Sequence, residues 1–62
     1  MVLKTWIIMG KGQHGGKVQI TIANTLTAEQ MVDRILSGDF GTFRGFVTLQ
    51  RVGSETVIPV MF

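Results

Sequence analysis

The chain has 62 residues, no cysteine, one histidine, six basic and four acidic residues. That length makes one domain, residues 1–62. The missing cysteines exclude disulfides and thiolate metal sites, and one histidine with four scattered carboxylates offers no structural zinc site and no other cofactor site.

A chain this short buries only about 60% of the surface its unfolded form exposes. Hydrophobic residues make up 45% and charged residues 16%, against about 25% charged in an ordinary soluble domain. With disulfides and metals excluded, self-association is the supplement that remains. An apolar surplus of this kind points to surface covered by another chain. A net charge of +2 and a pI near 9.7 permit nucleic-acid contact without demanding it. No run approaches the roughly 20 apolar residues of a membrane helix. Residues 1–9 are apolar but lack a small-residue cleavage site. The expected compartment is the cytoplasm.

In chain order, residues 3–9 (LKTWIIM) read as a first strand, β-branched and aromatic and without a breaker. Both its faces are apolar, with Leu3, Ile7 and Met9 on one and Trp6 and Ile8 on the other. A strand of this kind is covered on both sides. Residues 17–23 (KVQITIA) alternate strictly, Val18, Ile20 and Ile22 against Lys17, Gln19 and Thr21. The two runs form an antiparallel hairpin around a seven-residue glycine-rich reversal, residues 10–16. Pairing Ile8 with Val18 turns Trp6 inward over Ile20, whereas a slip by one residue turns Met9, Ile7 and Leu3 inward. The first is the expected arrangement.

Thr27 and Gln30 match a capping box, with Leu26 and Met31 placed as a hydrophobic staple. Met31, Val32, Ile35 and Leu36 share one stripe. Gly38 stands where a helix C′ glycine belongs. The spacing predicts a helix over residues 28–37. Residues 43–52 (FRGFVTLQRV) and 56–62 (TVIPVMF) are the third and fourth strands, turning at Gly53-Ser54. Their expected opposite pairs are Leu49 with Ile58, Val47 with Val60, and Gly45 with Phe62. Pro59 has no N–H for a ladder, which favours a four-residue loop over residues 52–55, or a bulge near Gly53, so that its nitrogen turns outward. The expected fold is α+β, ordered β-β-α-β-β: a four-stranded antiparallel sheet with one helix on one face, completed by self-association.

Gly10, Gly12 and Gly15 match G-x-G-x-x-G. The dinucleotide-binding form needs a helix after the glycines, and here a strand follows. Glycine-rich loops between strands also cover phosphates in kinases, but 62 residues cannot hold a kinase. What survives is a backbone free to form an anion nest, flanked by Lys11 and Lys17 around Gly12 and His14. Lys4, Arg44 and Arg51 add strand cations. If Lys4 and Arg44 share the exposed face with Phe46, they make a basic face with an aromatic, the combination that binds single-stranded nucleic acid. His14 has no carboxylate or nucleophile near it in sequence, so no catalytic residue is assigned. The mixed strand face of Phe46, Val57, Met61 and Pro59 has the composition of a protein interface. The expectation is therefore a non-enzymatic interaction or regulatory protein. It acts as a homo-oligomer and docks on a partner protein through an apolar sheet face or edge. The alternative is a small nucleic-acid-binding protein that uses residues 10–17 and the strand arginines on phosphates. No motif is specific enough to carry a family assignment.

Overall fold

The computed structural model describes residues 3–61. Strands β1 (Lys4–Gly12) and β2 (Lys17–Asn24) precede helix α1 (Ala28–Leu36), and strands β3 (Phe43–Arg51) and β4 (Val57–Met61) follow it. The strands form one antiparallel sheet in the order β2-β1-β3-β4. The α+β, β-β-α-β-β architecture is as the residue patterns predict. The expected placement of Phe62 beside Gly45 lies outside the described residues.

The first hairpin departs from the expected pairing. Ile8 stands opposite Ile20 and Trp6 opposite Ile22, two residues from the Ile8–Val18 register. Trp6 still points inward, because a shift of two keeps each side chain on its face. The strands run on through Gly12, and the reversal is a tight turn at 13–15 instead of seven residues. Gly15 N–H donates to the Gly12 carbonyl at 2.9 Å, and Gly12 N–H donates to the Gly16 carbonyl at 2.8 Å. Gly15 has φ +85°. This is a type I turn followed by a left-handed residue, the common three-residue hairpin loop, and it needs glycine at that position.

The second hairpin has the expected register, with Leu49 opposite Ile58, Val47 opposite Val60 and Thr48 opposite Pro59. Its connector spans 52–56, one residue longer than expected. It turns through Gly53 at φ +91°, with Ser54 N–H donating to the Arg51 carbonyl at 3.0 Å. Val52 N–H bonds the Thr5 carbonyl, so residues 52, 50 and 48 aim their backbone groups at β1. Thr48 and Pro59 are then a non-hydrogen-bonded pair, and the proline nitrogen faces away from β3. The strand order makes β4 an edge, where proline is tolerated.

The helix is fixed at both ends by its own sequence. Thr27 Oγ1 accepts from Gln30 N–H at 3.2 Å, and Gln30 Oε1 accepts from Thr27 N–H at 2.9 Å, completing the capping box. Asn24 Oδ1 accepts from Leu26 N–H just before it. After α1, Gly38 at φ +84° lets Asp39 N–H reach the Arg34 carbonyl and Gly38 N–H the Ile35 carbonyl, a Schellman motif. A Thr27→Ala variant should lose about 1 kcal/mol. Thermal unfolding checks this, with a fall of roughly 4–8 °C in Tm expected for a domain of this size.

The core comprises Trp6, Ile8, Met31, Ile35, Phe43, Val47, Leu49 and Val60. Val18, Ile20, Ile22, Leu26, Val32 and Ile58 pack against it, half-buried. Leu36 does not join the helix's buried stripe as expected. It is 51% exposed, because the helix presents only the Met31–Ile35 line squarely to the sheet. No helix among the described residues is long and apolar enough to cross a membrane.

Candidate functional site

Helix α1 covers one face of the sheet and leaves the other open. Trp6, Ile8, Val47, Leu49 and Val60 face the helix, so alternation places their neighbours on the open face. Those neighbours are Ile7, Met9 and Lys11 of β1, Lys17, Gln19 and Thr21 of β2, Phe46, Thr48 and Gln50 of β3, and Val57, Pro59 and Met61 of β4. The four residues expected to form an interface are thus brought together. Met61 lies opposite Phe46, and Pro59 opposite Thr48. Phe46 is 58% and Met61 77% exposed, with Met9 and Val57 near half. Residue patterning alone did not single out Met9, although its position next to inward-facing Ile8 places it outward.

One end of the open face is cut by a bulge. Gly10 pairs with Val47 and Gly12 with Phe43, so three β3 residues, Arg44, Gly45 and Phe46, stand opposite Lys11 alone. Gly45 takes φ +80° there; a lone glycine in a strand is the sequence signal for such a feature. The extra residues lift away from β1 and leave a groove of about 850 Å3. Lys11, Lys17, Gln19, Arg44, Gly45 and Phe46 line it, over Gly10 and Gly15. The Arg44 side chain reaches across to the hairpin tip: a methyl group on Gly15 would lie 3.9 Å from Arg44 Nη1.

The expected cation set therefore divides. Lys11, Lys17 and Arg44 converge on the groove, with Gly12 ending β1 beside it. His14 is exposed at the turn and does not line the groove. Lys4 does not share the open face with Arg44. It lies two residues before inward-facing Trp6, and its Nζ donates to the Leu26 carbonyl at 3.3 Å. Arg51, opposite Trp6, joins Lys4 at the helix N-terminal end. There the two line a smaller cleft of about 290 Å3 with Trp6, Thr27, Ser54 and Thr56. Seven residues of extended strand, roughly 23 Å, separate Lys4 from Lys11.

Among the described residues the one ion pair is Arg34 to Asp39, 3.2 Å apart and exposed. No group of three His, Asp or Glu side chains among them is placed to hold a metal ion. The indole Nε1 of Trp6 is buried without a hydrogen-bond partner. Among the described residues the surface thus carries an apolar face with a basic groove at its margin, and the smaller Lys4–Arg51 cleft at the other end. No protein-family model matches the chain, and no curated protein or solved structure is significantly similar to it.

Proposed function

We propose that this chain is a non-enzymatic interaction protein that works as a homo-oligomer, with a second copy seated on the open sheet face. A partner protein that displaces that copy, or binds the assembled pair, would be its target. The observation that carries this reading is the run of exposed apolar side chains Met9, Phe46, Val57 and Met61 on one uncovered sheet face. The Cα envelope measures 37 × 22 × 15 Å. The rectangle of its two longer extents sets an upper limit of roughly 800 Å2 on a single face, of the order that each partner contributes to a standard interface. The apolar side chains run from β1 to the β4 edge, with Lys11, Lys17, Gln19 and Thr21 on the β2 side as a polar margin, a division of the kind interfaces show.

Charge favours a two-fold pairing. No carboxylate stands among the described open-face residues, and their cations gather at one end. A two-fold axis lying in the interface and running across the strands sends the two basic ends to opposite ends of the pair, avoiding like-charge contact. Edge pairing through β4 is opposed by Pro59, which removes one donor from that edge.

Met61→Glu and Val57→Glu test the reading, because both side chains are exposed in the single chain and neither lines the groove. Each is expected to weaken self-association by at least about 5-fold, the loss of roughly 1 kcal/mol for a contributing interface residue, with the circular dichroism spectrum unchanged. Association of normal strength in both variants would remove the open face from the interface.

A further inference from the structure

The hairpin tip carries a charge arrangement that folding alone does not explain. Lys11 and Lys17 are directly opposite each other across β1 and β2, and like charges in that position repel. The β3 bulge then brings a third cation, Arg44, to the same groove. None of the three has an ion-pair partner among the described residues. Of the four carboxylates, Asp39 is paired with Arg34 and none lines the groove. Three clustered cations form a focused positive site whose repulsion a bound anion relieves. Beside them Phe46 presents an exposed ring, and Gly10, Gly15 and Gly45 leave the backbone open to close approach.

We propose that this groove binds a nucleotide unit, with Lys11, Lys17 and Arg44 holding its phosphates and Phe46 stacking on its base. The volume of about 850 Å3 lies within the range of small-molecule pockets, roughly 300–1,000 Å3. A cationic track beside a stacking ring is the arrangement that holds nucleotides without reading their sequence. The site does not include Lys4, Arg51 or His14. It shares Phe46, Lys11 and Lys17 with the face proposed for self-association, so a nucleotide and a second copy compete there. The titration is therefore repeated in Val57→Glu, where the face is freed and the groove lining is intact.

The test is calorimetric titration of the full chain at low and moderate salt, with three probes: ADP, an oligothymidylate of about ten nucleotides, and inorganic tripolyphosphate. Nucleotide binding is expected and should weaken with salt. For the strand, the logarithmic slope should be about −2 if three phosphates are engaged. Equal affinity for ADP and the oligothymidylate assigns a free nucleotide. Affinity at least about tenfold tighter for the oligothymidylate assigns a single strand.

Lys17→Glu sets opposite charges across the strand pair, so its thermal midpoint should hold or rise. Its nucleotide affinity should fall at least about tenfold, as expected on losing a charge-assisted contact. Phe46→Leu keeps apolar bulk but should lose at least about fivefold in affinity through the missing stack. Three results would overturn the proposal. One is no nucleotide binding at low salt. Another is tripolyphosphate binding as well as nucleotide with Phe46→Leu without effect. The third is binding that survives the groove variants and is lost in Lys4→Glu/Arg51→Glu.

Discussion

Gly10→Ala should destabilise the domain by roughly 1–3 kcal/mol, the usual cost of forcing carbon into a filled core. Gly10 looks like a loop glycine in the sequence but lies within β1, directly opposite Val47. A Cβ there would meet Val47 Cγ1 at 2.5 Å and Val47 Cβ at 3.2 Å. Val47 has no exposed surface and is held from its other side by Val60, so it cannot simply turn away. A domain of this length has about 3–9 kcal/mol of total stability, and Gly10→Val is expected to leave it unfolded at room temperature. Gly16→Ala is the control. Nothing lies within 4 Å of its Cβ position, and its stability should stay within about 0.5 kcal/mol of the parent. A double-mutant cycle with Val47→Ala checks the mechanism. Removing the valine methyls makes room, so Gly10→Ala should cost less in that background. An equal cost in both would place the strain elsewhere.

The second large effect belongs to the helix. Ile35→Ala is expected to cost about 2–5 kcal/mol, which for a domain this small means partial or complete unfolding. Ile35 and Met31 have no exposed surface and are the helix's two fully buried side chains. They join α1 to the sheet residues Ile8, Val47 and Leu49, all equally buried. Leu36 is the same size, adjacent in sequence and half-exposed. Leu36→Ala should cost clearly less, about 1 kcal/mol, because only half of its surface is withdrawn from water and no buried cavity is left. Urea unfolding of the two variants separates them. Similar losses would mean that the helix is rotated about its axis from the arrangement described.

The fold was legible where a local rule had a single solution. Strict alternation identified β2, Thr27 with Gln30 began the helix, Gly38 ended it, and Pro59 favoured the longer turn of the second hairpin, in which its nitrogen faces away from β3. The first hairpin's register was not legible. Four glycines and two lysines around its turn carry no alternation, and the register depends on Gly15 adopting positive φ. Strand order was hidden for a different reason: β1 and β3 are both apolar enough to be central, and neither names its neighbour. On the surface, Phe46, Val57, Pro59 and Met61 fall on one face, because the period-two geometry of β3 and β4 and their register place them there. The cations were grouped too widely. Lys4 shares parity with Trp6, so an inward Trp6 already sends Lys4 to the helix side. Arg44 meets Lys11 and Lys17 only because the β3 bulge at Gly45 allows it, and a bulge rearranges side chains in a way no linear spacing shows.

The unfilled face is the centre of the account. Among the described residues eight buried side chains form the core, while Phe46 and Met61 stand in solvent on the open face. Sedimentation equilibrium of the unaltered chain at micromolar concentrations tests this most directly. A particle of twice the 6.8 kDa chain mass, reverting toward a single chain in Met61→Glu, is the expected result. A single-chain mass at every concentration, unchanged by Met61→Glu, would contradict it.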